Sequence, residues 1–192
     1  MTILFYKADG PYGCFSNFSP HPIRLQGRIW LTSEHYYQAH KYINSPHAAL
    51  CEQIRQASSP EMAAALGRDP RYAVRLDWEA VKLQVMYTAV FTKFSSHPDI
   101  RAVLVGTEDE PIVEDSPSDS YWGWGADHQG HNYLGRLLMQ VREQLRLAKP
   151  TEQGFHPEYL TSDRLAKPSQ IVGWSPEPTN PKLHHSDSLG SS

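Results

Sequence analysis

Apolar and polar positions alternate over Thr2–Lys7, the period of a strand, and again over Ile23–Leu25 and Arg28–Trp30, two arms of a hairpin around Gln26-Gly27. The period then lengthens. A helix is expected from Ser33 to Ile43, with Thr32 or Ser33 as its N-cap. Ser45-Pro46 and Ser59-Pro60 each read as an N-cap followed by proline at the first helical position, opening two short helices. Asp77 is expected to cap a long helix through Ser95, with Trp78, Val81, Val85, Thr88 or Ala89, and Thr92 at helical spacing. Pro98–Val105 fits helix or strand, and Ile112–Glu114 a short strand. Asn132 is expected to cap a last helix to Leu147 whose buried stripe is Leu134, Leu137, Leu138, Val141 and Leu145. The pattern predicts an α+β fold: a single, mostly helical domain with a small β-sheet or hairpins.

Composition adds a boundary. The 42 residues from Thr151 carry five prolines and seven serines, so the domain is expected over 1–150 and a mostly irregular Pro/Ser-rich tail over 151–192. With 40% apolar and 20% charged residues, the 192-residue chain has ordinary globular usage. A net charge of −3 argues against a DNA-coating protein but leaves room for a local basic site, with Arg24, Arg28, Arg68, Arg71 and Arg75 available for phosphate contacts. No apolar run approaches the roughly 18–20 residues of a membrane span, and the N-terminus lacks a signal-peptide pattern, so a cytoplasmic protein with no membrane partner is expected. Cys14 and Cys51 cannot build a disulfide framework and read as inert thiols. Ten histidines include no His-Glu-x-x-His, and His128-x-x-His131 sits among glycines, so neither metal nor cofactor is expected.

Three segments could carry chemistry. In Thr32–Tyr42, Glu34, Gln38 and Lys41 fall at i, i+4 and i+7, on one face of a helix. Such a face is either a polar site or a solvated surface with a weak ion pair. Asp119–Asn132 holds Gly123, Gly125 and Gly130 just before a helix, where free N–H groups can receive an anion, and Trp122 and Trp124 offer flat faces for a base. The same residues also suit a tight turn with two core tryptophans. Gly13–Pro20 places Ser16 and Asn17 between Phe15 and Phe18, either an anchored turn or a ligand-facing loop. Glu114 and Asp119 flank the entrance to the tryptophan loop.

Together, Phe15-Ser-Asn-Phe18, Trp30-Leu-Thr-Ser-Glu-His-Tyr-Tyr-Gln-Ala-His-Lys41, Trp122-Gly-Trp-Gly125 and Asn132-Tyr-Leu-Gly135 resemble the NADAR family over roughly residues 1–148. Bacterial members of that family include N-glycosidases of riboflavin-biosynthesis intermediates. The resemblance implies cleavage of the bond between ribose C1′ and an exocyclic amine. Phosphoribosylamino-pyrimidine intermediates are the favoured substrate, and ADP-ribosyl-guanine, in nucleic acid, is the alternative. It implies Lys41 as a Schiff-base nucleophile, Glu34 to orient the ribose or shuttle a proton, and Asp119 to assist ring opening or hold the ribose. Trp122 would stack on the base, with Ser16, Asn17, Gln38, Gly123 and Asn132 binding substrate. A carboxylate beside Lys41 raises the amine pKa, so desolvation must outweigh it, or Glu34 must take the proton as attack begins. A direct route with carboxylate-activated water stays open, as do a non-catalytic ADP-ribose-binding module and a scaffold using the tail.

Overall fold

The computed structural model describes residues 1–147; the expected tail over 151–192 lies outside the described residues. The element order is β1 (Ile3–Phe5), a 3-10 turn (Gly13–Phe15), β2 (Ile23–Leu25), β3 (Arg28–Trp30), α1 (Ser33–His40), α2 (Leu50–Arg55), α3 (Pro60–Gly67), α4 (Trp78–Ser96), α5 (Pro98–Gly106), β4 (Ile112–Glu114) and α6 (Tyr133–Leu147). The fold is α+β and mostly helical, as the periodicity predicts. β2 and β3 form the expected hairpin, and Gln26 and Gly27 both take positive φ (54° and 72°), the geometry a two-residue turn of this hand needs. β1 pairs with β4 in parallel, Ile3 opposite Ile112 and Phe5 opposite Glu114.

Two apolar clusters organise the helices. One joins β1 and β4 to α4, α5 and α6; the other joins the hairpin to α1, α2 and α3. α1 belongs to both, since Tyr37 packs in the first and Tyr36 and Ala39 in the second. Every residue of α1 is therefore buried, including Glu34 and Gln38. The solvated-face alternative for this helix does not hold.

Local chemistry explains where the expected boundaries stand and where they move. Thr32 caps α1 by accepting from the His35 N–H, and Ser59 caps α3 by accepting from the Met62 N–H with Pro60 in the first turn. α1 ends at His40, with Lys41 its C-cap, short of the expected Ile43. Ser45-Pro46 opens turns rather than a helix, and α2 begins only at Leu50. Asp77 gives no cap bond because its carboxylate is taken by Arg75, at 2.5 and 2.8 Å. The expected stripe of α6 is fully buried. That of α4 is not one stripe: Val81 and Val85 are half-buried while Met86, Val90, Lys93 and Phe94 face the core, because α1, α5, α6 and β2 all pack on this helix. Pro98–Val105 resolves as helix.

Among the described residues no helix is long and apolar enough to cross a membrane. Cys14 and Cys51 are free and half-buried, and burial pushes both thiols up, away from thiolate reactivity.

Candidate active site

A cavity of about 170 Å³ brings together residues distant in sequence: Ser16, Asn17 and Phe18 from the first loop, Glu34, Tyr37, Gln38 and Lys41 from α1, Arg68 from the end of α3, Met86 from α4, and Glu114, Asp119 and Trp122 from β4 and its following loop. Seven of the nine residues expected in the site are here. Gly123 and Asn132 are not.

Lys41 sits at the α1 C-cap, where its Nζ donates to the Gly67 carbonyl at 3.0 Å. It lies 5.6 Å from the Tyr37 ring centroid and 6.0 Å from that of Trp78. Burial among these rings lowers its pKa to about 8, while the Glu34 carboxylate works in the opposite direction and is outweighed. The conflict evident in the sequence is thus resolved in favour of desolvation. Glu34 is almost fully buried; it accepts from Gln38 Nε2 at 2.6 Å and lies 3.8 Å from the Arg68 guanidinium. Burial raises its pKa, against the lowering effects of Gln38, Arg68 and Lys41. Gln38 is held against Gly67, where a Cβ would come within 2.1 Å of Gln38 Oε1; only glycine leaves room.

Asp119 has two connections. It lines the cavity, and its Oδ1 accepts from the Tyr121 and Trp122 N–H groups at 2.9 and 2.7 Å, fixing the start of the tryptophan loop. Trp122 meets Tyr37 edge to face, centroids 5.4 Å apart. Trp124, the other expected base platform, lies outside the cavity lining, stacked on His128 at 4.2 Å and donating to Asp115 Oδ1.

The N–H groups of residues 130–134, at the start of α6, are not free to receive an anion. They all donate to carbonyls of residues 120–124, so the loop takes up the first two N–H groups of α6, those of Tyr133 and Leu134. Gly123 is required for that closure, since a Cβ there would meet the Glu114 carbonyl at 2.6 Å. Asn132 lies outside the cavity lining, and its side chain is directed to β4: its Oδ1 accepts from Glu114 N at 3.0 Å and its Nδ2 donates to the Ile112 carbonyl at 2.9 Å. It staples β4 to the helix.

Sequence reasoning missed Lys93. It is fully buried, donating to the Ser16 carbonyl at 2.9 Å and to Ser19 Oγ at 3.1 Å, with no ion pair among the described residues. Burial lowers its pKa to about 7. The amine ties the Ser16–Asn17 loop to α4 from behind. Lys93→Met leaves the Ser16 carbonyl without its donor, so KM is expected to rise roughly tenfold, with a much smaller change in kcat. Steady-state kinetics reads this split, and an unchanged KM would contradict the anchoring role.

Of the five arginines available for phosphate, only Arg68 lines the cavity. Arg28, Arg71 and Arg75 are paired with Glu52, Asp69 and Asp77.

Residues 4–146 match the family described as the NADAR domain. The chain is 56% identical over 146 residues to "N-glycosidase Npun_R5314" of Nostoc punctiforme, covering 76% of this chain and 94% of that protein. It is 46% identical over 147 residues to "N-glycosidase YbiA" of Escherichia coli K12, covering 77% and 90%. A maize relative, "Riboflavin biosynthesis protein PYRR, chloroplastic", is 44% identical over 155 residues, 74% of this chain but 25% of that longer protein. The NMR structure of the E. coli YbiA protein is similar in fold, with a TM-score of 0.71 at 43% identity over 79% of this chain and 90% of that one.

Proposed function

The chain belongs to the NADAR family, and on that premise we propose that it cleaves the bond between ribose C1′ and the exocyclic amine of a phosphoribosylamino-pyrimidine. It is a hydrolase acting on N-glycosyl bonds, the activity named for its Nostoc and Escherichia relatives. The observation that carries the mechanism is Lys41: an amine held below its ordinary pKa in the same cavity as three carboxyl groups and an indole face.

A ribosylamine opens its ring to an iminium, leaving C1′ electrophilic. Neutral Lys41 Nζ attacks C1′. The Glu34 carboxylate takes a proton from the resulting ammonium and passes it to the departing nitrogen. The base leaves as a neutral amine, and the sugar stays on Lys41 as a Schiff base until water releases it. Asp119 holds the ribose and sets the position of Trp122, whose ring stacks on the base. Ser16, Asn17 and Gln38 bind the ribose and its phosphate. Asn17 Oδ1 is a buried acceptor with no partner among the described residues, matched to a hydroxyl donor of a sugar. Arg68, 63% exposed at its side chain, meets the phosphate. One cavity-lining guanidinium suits a single phosphate monoester better than a nucleic-acid strand.

Incubation with a phosphoribosylamino-pyrimidine, and separately with ADP-ribosylated guanosine and a guanine-containing oligonucleotide, tests the substrate by chromatography of the released base. The expected result is rapid release of the aminopyrimidine together with a ribose phosphate. Release from ADP-ribosyl-guanine alone would overturn the substrate assignment. Binding of ADP-ribose without release from either would replace the enzyme by a binding module.

A further inference from the structure

Glu114 lines the cavity but has no part in the steps above. It is the last residue of β4, and its backbone is held on both sides: its N–H donates to Asn132 Oδ1 at 3.0 Å and its carbonyl accepts from the Trp124 N–H at 3.2 Å. The strand, the α6 staple and the tryptophan loop therefore aim this one side chain into the site. Its Oε2 is buried, with no hydrogen-bond partner among the described residues. The charged groups sharing the cavity are Asp119 on the following loop, Glu34 and Lys41 on α1 and its cap, and Arg68 at the end of α3, with the Tyr37 phenol beside them. Two neighbouring carboxylates and loss of water favour the neutral acid; burial first, then Asp119 and Glu34, push this carboxyl up to about 8.

We propose that Glu114 is the general acid of ring opening, donating its carboxylic proton to the ribose ring oxygen O4′. The proposal rests on the N-glycosidase reading and names the group that starts the reaction. The C1′–O4′ bond breaks with its electron pair going to O4′, which takes the Glu114 proton. The exocyclic nitrogen lone pair forms the C1′=N bond, and Glu114 is left as carboxylate. Attack by Lys41 and the Glu34 shuttle then exchange the amines without net change in protons. Water finally converts the Lys41 iminium to an aldehyde and free amine, releasing one proton, which returns to Glu114. The cycle closes with no co-reactant beyond water.

An acid that must be protonated and an amine that must be neutral give a bell-shaped pH–rate profile centred near 8, with Glu114 setting the alkaline limb. The test compares a substrate whose ring must open with a probe that has no ring. For Glu114→Gln, base release from the phosphoribosylamino-pyrimidine is expected to fall about 100-fold, with the alkaline limb lost. Trapping of glyceraldehyde 3-phosphate on Lys41 by cyanoborohydride, which needs no ring opening, is expected to match the unsubstituted protein. Equal loss in both reactions would make Glu114 a structural residue and overturn the proposal, as would full base release by the variant. If the unsubstituted protein released no base at all, the N-glycosidase reading itself would fall, and the proposal with it. A folded Glu114→Asp, which keeps the acid but withdraws it by one methylene, is expected to retain the alkaline limb at reduced rate; a variant lacking that limb would count against the proposal.

Discussion

Lys41→Ala is expected to lose about 10⁴-fold or more in turnover while the protein remains folded. The reason lies in the order of steps. Without the amine, C1′ has no internal nucleophile, and the remaining cavity can only bind and orient. The substitution removes a hydrogen bond to the Gly67 carbonyl and an amine that burial already disfavours as a cation, so little stability is expected to be lost. Thermal unfolding checks the fold and base release checks the loss. Lys41→Arg should be equally inactive, since a guanidinium stays protonated and cannot attack. A folded Lys41→Ala that releases base at the normal rate would remove the covalent route and leave water activated by a carboxylate.

Glu34→Gln is expected to cost about 1,000-fold in kcat and to move the acid limb of the pH profile to lower pH. The two effects have separate causes. The rate falls because the carboxylate that carries a proton from Nζ to the leaving nitrogen has gone. The limb moves because the Glu34 charge favours the Lys41 ammonium and so raises the amine pKa. In the unsubstituted protein the neutral amine accumulates as pH rises through about 8; without the carboxylate it accumulates earlier. Glutamine retains the oxygen that accepts from Gln38 Nε2, so the helix face should keep its geometry. A kcat–pH profile for both proteins measures the shift. A limb displaced upward, or a kcat close to normal, would contradict the role given to Glu34.

The parts of this molecule that could be read in sequence were those decided locally. Thr32 and Ser59 signal their helix starts because a cap reaches only three residues ahead. The α6 stripe follows from its own spacing, and the polar face of Glu34, Gln38 and Lys41 from the helix period. What could not be read depends on distant partners. Lys93 looks like any helical lysine until the fold brings Ser16 and Ser19, 77 and 74 positions earlier, to its amine. Asn132 looks like an N-cap, yet its amide is used by β4, 18 and 20 residues back. The glycine loop resembles an anion cradle because sequence does not tell which carbonyls will consume its N–H groups. Glu114 was visible only as a flanking acid: a three-residue strand gives no sign of the parallel pairing with β1 and the loop contacts that aim it inward.

The most direct test of the lysine route is borohydride trapping during turnover of a phosphoribosylamino-pyrimidine, read by intact mass and peptide mapping. The account predicts one reduced adduct, on Lys41, with the added mass of a ribose phosphate. Release of the base at full rate with no adduct on any lysine would contradict it.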